Sequence, residues 1–160
     1  MTFGRVLLVC VVLVWIAGGC QQVVSPALSI GSAQPDFLFI VLCGLAPLTS
    51  RKAGTVLGFV TGVILGALVG ANFVGYAVSR TLAGFFLGWA GTIDIEFNAV
   101  AAAVACVLST ILVRLVFMFV APPTAIAPFL LATMSTAIYN GVLAIPLHLL
   151  VTRLVPERER

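Results

Sequence analysis

Charge is what this chain has least of. Of its 160 residues only 8% are charged, eight Lys+Arg against five Asp+Glu. A soluble domain carries roughly 25%. So few charges cannot cover a water-facing surface, which excludes an ordinary soluble domain. Disorder is excluded as well, because it needs low hydrophobicity and high charge, and 62% of this chain is hydrophobic. Metal-binding groups are equally sparse. There is one histidine, His148, and the four cysteines Cys10, Cys20, Cys43 and Cys106 are far apart with no CxxC. That pattern argues against a structural zinc site, and a free Cys in an apolar run behaves as a small hydrophobe. No pair of carboxylates falls within the apolar runs and there is no Ser/His/Asp set, so catalysis has little to work with. The expectation is a protein that is not an enzyme and carries no cofactor and no metal. The net charge of +3 says little by itself; the expected partner is membrane lipid, with no nucleic acid.

What is present is a series of long apolar runs. A membrane-crossing helix takes about 20 residues, so six would use about 120 of them. The remainder is too small for a soluble domain. The runs are continuous rather than alternating, which favours helices over an outer-membrane barrel. The expected fold is an all-α membrane protein, a compact bundle of six transmembrane helices in one domain. The spans are 5–24, 36–50, 53–71, 73–90, 97–121 and 125–152, the second short enough to be a core helix, a re-entrant segment or a thin span. Ala17-Gly18-Gly19-Cys20 loosely resembles a lipoprotein cleavage box, but the apolar chain around it reads more simply as a first span. Pro26 and Pro35 break the polar stretch after span one, and Pro122-Pro123 turns the chain after span five. Pro128 and Pro146 are expected to bend span six. Six spans with the N-terminus inside put Arg5, Arg51, Lys52, Arg153, Arg158 and Arg160 all on the cytoplasmic side. Both termini are therefore expected in the cytoplasm. Asp94 and Glu96 then fall on a short cytoplasmic loop and read as a solvated turn and a helix start.

Span three holds the sharpest pattern. Gly54, Gly58, Gly62, Gly66 and Gly70 recur at every fourth position. Residues at i and i+4 share a helix face, so these form a groove without side chains that drifts about 40° per step around the helix. In lipid, small residues let helix backbones approach closely. The ladder is a helix-docking surface, facing either the rest of this bundle or another chain. Gly84 and Gly88 in span four, and Ala99 and Ala103 in span five, look like matching surfaces.

Several polar residues fall inside the runs. Arg80 and Arg114 both lie about 10 Å from the outer face. Buried charge is costly and such residues are often functional. Three roles stand open: snorkelling to headgroups, pairing with Asp36 or a partner's carboxylate, and contact with a ligand. Tyr139 and Asn140, near the middle of span six, are expected to face protein and hydrogen-bond there. His148, near the inner end of the same span, reads as an interfacial residue.

The order of features resembles the bacterial rod shape-determining protein family MreD. The matching stretches are Ser25-Pro26-Ala27-Leu28-Ser29-Ile30 and Pro35-Asp36-Phe37-Leu38. They continue with Arg51-Lys52-Ala53-Gly54, Leu57-Gly58-Phe59 with Gly62, Gly75-Tyr76-Ala77, Gly84-Phe85, and Tyr139-Asn140 with Pro146. The resemblance covers about residues 5–153. The chain departs from the family in reading Leu65-Gly66-Ala67 where an acid is common, in Arg80, and in the acidic loop after span four. The resemblance implies a multi-pass protein of the bacterial inner membrane and a non-enzymatic scaffold of the cell-elongation machinery. Its implied partners are a single-span MreC-like protein and the wall-elongation assembly, which comprises the actin-like filament protein MreB, a glycan-polymerising membrane protein and a transpeptidase. It also implies a fold similar to the substrate-binding subunits of energy-coupling-factor vitamin transporters. That similarity supplies the alternative function, a small-molecule-binding subunit of such a transporter, with Arg80, Arg114, Asp36 and Asn72 as candidate contacts.

Overall fold

The computed structural model describes residues 3–93 and 98–154, with the backbone alone for 3–6. Asp94, Glu96, Arg158 and Arg160 lie outside the described residues, as does the side chain of Arg5. Six α-helices follow one another: α1 (Phe3–Ala27), α2 (Phe37–Leu45), α3 (Arg51–Val69), α4 (Phe73–Ala90), α5 (Ala99–Val120) and α6 (Ile126–Leu154). Four of them, α1, α3, α5 and α6, are long and apolar enough to cross a membrane. With its six-helix all-α bundle, the chain is a membrane protein. The helix α4 has 18 residues and carries Arg80 near its middle, and α2 has only nine.

Local chemistry sets the boundaries. The Ser50 hydroxyl accepts the Ala53 N–H at 3.3 Å and starts α3. The Asn98 side chain accepts from Val100 and Ala101 and starts α5. Pro128 sits in the first turn of α6, where its missing N–H costs no helix bond. It therefore leaves the helix unbroken, whereas Pro146 lies inside it. The first helix runs three residues past the expected end at Val24, taking in Ser25, Pro26 and Ala27. The expected second span is divided. Helix α2 ends at Leu45, and Pro47 falls in a 3-10 turn, Ala46–Leu48.

Helix α2 is the centre of the bundle. Every residue from Leu38 to Leu45 is buried, and the helix touches α1, α3, α4, α5 and α6. At 1.5 Å per residue it is about 14 Å long, less than half the roughly 30 Å hydrocarbon core. Of the three readings open for this segment, the core helix fits. Two apolar clusters surround it. One joins Phe39, Leu42 and Cys43 to Ala83, Leu87, Cys106 and Ala144. The other joins Leu38, Val41 and Leu45 to Val14, Ala17, Leu65 and Val151. Large apolar side chains on the outer faces, such as Trp15, Phe59, Leu108 and Leu131, are exposed and suit a lipid surround.

The glycine ladder is used inside the chain. Helices α3 and α4 form an antiparallel hairpin. A Cβ added at Gly54 would lie 2.5 Å from the Gly84 carbonyl oxygen, and one at Gly62 would lie 2.5 Å from that of Tyr76. At Gly58 the added atom would strike the Arg80 carbonyl, and at Gly66 it would lie 2.9 Å from the Phe73 ring. Gly84 and Gly88 return the contact onto Gly54, Gly58 and Arg51. The backbones meet where side chains are missing, as close packing in lipid requires. Gly70 departs from the ladder. It is the C-cap of α3 at φ 70°, with open space around it, so it ends the helix in a left-handed turn that glycine accepts freely. In α5, the Ala103 backbone lies against Gly141 of α6.

Because the obstacles at Gly62 are backbone atoms, Gly62→Ala is expected to lower stability by about 1–3 kcal/mol. Gly19→Ala, at a position with nothing within 4 Å, is expected to leave it unchanged. Thermal melts of the two variants in detergent check both.

Candidate functional site

The polar residues of the apolar helices gather around the start of α2. In a helix the first N–H groups have no intrahelical partner, and in a hydrocarbon interior each unsatisfied group costs several kcal/mol. Here neighbours supply the acceptors. The Phe37 N–H donates to Gln21 Oε1 at 2.8 Å, and the Phe39 N–H to Asp36 Oδ1 at 3.0 Å. Just ahead, the Asp36 N–H donates to Asn140 Oδ1 at 3.0 Å. Asn140 is fully buried, and its Nδ2 donates to Thr110 Oγ1 at 3.3 Å. The preceding segment is tied down in the same way. The Ser25 hydroxyl donates to the Pro35 carbonyl at 2.6 Å, and the Tyr139 hydroxyl to the Leu28 carbonyl at 2.9 Å. Tyr139 and Asn140 therefore bond to protein.

Asp36 does two jobs. Oδ1 caps α2, where a negative charge also suits the positive end of the helix dipole. Oδ2 takes a charge-assisted hydrogen bond from Arg80 Nη2. Of the three roles open to Arg80, snorkelling is overturned. The side chain is 1% exposed, because it turns inward to this carboxylate and lies over the Phe39 ring, 5.6 Å from its centroid. The guanidinium is only partly used, since Nε and Nη1 have no hydrogen-bond partner.

Beside this pair is a cavity of about 310 Å³ at one end of the bundle. It lies where α1, α3 and α5 finish and α4 and α6 begin. Its polar wall comprises Gln21, Gln22, Gln34, Asp36, Arg80 and Arg114. Its apolar wall comprises Leu65, Leu68, Val113, Phe117 and Phe129, with Tyr76 packed on Phe117 at 4.8 Å between ring centroids. The structure thus brings Asp36, Arg80 and Arg114 together. Asn72, at φ 53° before α4, is not among the lining residues. His148 lies elsewhere on α6 and is buried at 5% exposure, its side chain turned toward protein. Among the described residues no group of three or more His, Cys, Asp or Glu is placed to hold a metal.

Gln21, Gln22 and Gln34 were not singled out by sequence. For Gln21 and Gln22 the signal was a polar pair inside the expected first span, where such side chains face protein rather than lipid.

A second concavity of about 1010 Å³ lies between α1 and α3, open along their length from Leu7 and Lys52 to Gln22 and Leu68. Its walls are apolar apart from the rim and include Gly18, Gly19 and Ala53.

Removing one member of a buried ion pair strands the other charge, at about 3–5 kcal/mol. Asp36→Ala is therefore expected to destabilise the protein by about that amount. Asp36→Ala/Arg80→Met is expected to recover all but the cap contribution of about 1 kcal/mol. Denaturation of the single and double variants checks this.

In comparisons with known proteins, no family model matches this chain, and no curated protein or solved structure matches it.

Proposed function

We propose that the chain is a non-enzymatic scaffold of the bacterial inner membrane that seats the transmembrane helix of a single-span partner in the groove between α1 and α3. The observation that carries this reading is the groove itself. It follows α1 from Leu7 to Gln22, about 22 Å at 1.5 Å per residue, which is a helix-length trough. Gly18 and Gly19 offer small-residue contact, and space over Gly19 is unfilled within 4 Å. In lipid such surfaces favour the close approach of another helix over that of mobile acyl chains. The glycine ladder of α3 is consumed by α4, so the small-residue contact in the groove comes from α1, with Ala53, Val56 and Val60 of α3 as the opposite wall. The resemblance to the MreD family supports an MreC-like partner and a place in cell elongation. The positive-inside rule supports a topology in which Arg51, Lys52 and Arg153 face the cytoplasm and the polar cavity opens outward.

Affinity purification of the detergent-solubilised protein is expected to recover a single-span protein together with wall-elongation enzymes. Gly19→Leu, which fills the groove without meeting the bundle, is expected to lower that recovery about tenfold, one decade in affinity, with an unchanged melting temperature. Full recovery with Gly19→Leu, or normal rod shape after deletion in a rod-shaped host, counts against the scaffold.

A second reading, a small-molecule-binding subunit of a transporter, is favoured by one observation, the polar cavity around Arg80. Concave sites with a few convergent polar groups are where small ligands bind. Loss of solute uptake in an Arg80→Ala/Arg114→Ala double variant is its test.

A further inference from the structure

We infer that the cavity beside α2 binds an amphiphilic monoanion, its oxyanion head held between Arg80 and Arg114 and its apolar body against Leu65, Val113 and Phe117.

The charge balance points to the sign and number. Asp36 is the one carboxylate among the described residues, and it is committed to Arg80 and to the α2 cap. Arg114 lines the same cavity with no ion pair among the described residues. Two guanidiniums and one carboxylate leave a single positive charge in a cavity at membrane depth. That charge is on Arg114, which is partly exposed at the cavity wall, and one singly charged anion balances this site.

The donor inventory points to an oxyanion. Arg carries five N–H donors and no acceptor. At Arg80 only Nη2 is used, although the side chain is almost wholly buried and Nε and Nη1 lack an acceptor. Leaving such donors unmet in a low-dielectric interior is expensive. A carboxylate or phosphodiester oxygen supplies acceptors that guanidinium groups match well. The aliphatic and aromatic wall opposite selects a molecule with an apolar part, and a cavity of about 310 Å³ lies at the small end of the range for small-molecule sites.

A singly charged oxyanion on an apolar body can be a free organic carboxylate or the phosphodiester head of an anionic lipid. The site is separate from the α1/α3 groove and does not depend on the scaffold reading. It rests on, and gives the ligand chemistry for, the second reading; its test is binding rather than uptake, so the two fail separately.

The full chain is reconstituted in phosphatidylcholine nanodiscs and titrated with benzoate, with dimethyl phosphate and with neutral benzamide, following the melting temperature. In parallel, nanodiscs containing phosphatidylglycerol are analysed by native mass spectrometry for retained lipid. Saturable stabilisation by benzoate or dimethyl phosphate, but not benzamide, is expected if the ligand is free in solution. One phosphatidylglycerol retained per chain, displaced by excess benzoate, is expected if it is a lipid head. In either case Arg114→Gln weakens binding by at least about tenfold. Arg80→Lys, which keeps the charge but loses the planar donor set, weakens it while still pairing with Asp36. Should Arg80→Lys fail to fold, Arg114→Gln alone decides. The proposal is overturned if no anion binds saturably, if benzamide binds as well as benzoate, or if Arg114→Gln binds like the parent chain. Retained binding in Gly19→Leu, alongside lost partner recovery, separates this site from the groove.

Discussion

A helix that begins inside a membrane protein has to bring acceptors with it. Helix α2 starts among the other helices, beside the polar cavity at one end of the bundle, and the rest of the polar chemistry of this chain is arranged around its first N–H groups. Gln21 of α1, Asn140 of α6 and the side chain of Asp36 each accept one of the N–H groups from Asp36 to Phe39. Asp36 carries a negative charge to do so, and Arg80 answers that charge. Residues that look anomalous one by one in apolar helices form a single connected set. The set extends through Thr110, which accepts from Asn140, so α1, α2, α4, α5 and α6 are all joined at one level.

The second constraint is distance. A hydrocarbon surround gives helices little reason to associate beyond packing and hydrogen bonds, and α3 and α4 meet this by bare backbone contact along Gly54, Gly58, Gly62 and Gly66. That hairpin leaves Arg80 facing α2 while its own carbonyl lies against Gly58. Close packing on one side of α4 and ion pairing on the other fix the guanidinium between two rigid surfaces. By contrast α1 contacts α3 sparsely and is held through Val14 and Ala17 packed against α2 and through its polar last turns. The groove and the cavity are therefore different in kind: one is a gap between helices, the other a void inside a network.

Helix number and approximate placement were legible in the sequence because continuous apolar runs separated by Pro, Gly and polar residues carry most of that information. The α3 ladder was legible for the same reason, since a spacing of four needs no knowledge of the neighbours. Its end was less so. Gly70 continues the count but caps the helix, and only backbone geometry separates those two uses of glycine. The end of α1 was set three residues early, because Ser25 and Pro26 look like loop residues until the segment leading into α2 is placed beside them. The partnership of Asp36 with Arg80 stood among several possibilities. A separation of 44 residues says nothing about proximity, whereas a shared depth in the membrane makes the pair possible without choosing it. Of the cavity only the charged residues Asp36, Arg80 and Arg114 were legible; its glutamines and apolar wall come from five helices and one connecting segment, which no spacing in the sequence links.

The contact between Asp36 and Asn140 also bears on how the chain is made. These residues are 104 positions apart, and α6 is the last helix. A nascent chain emerges with α2 before the acceptor for the Asp36 N–H exists. A nine-residue helix with a charged N-cap is a poor candidate to enter lipid alone. Its final burial therefore belongs to assembly rather than insertion. The centre of the protein is completed only when its C-terminal helix arrives, and a chain interrupted before Asn140 would have its outer helices in the membrane and no finished core.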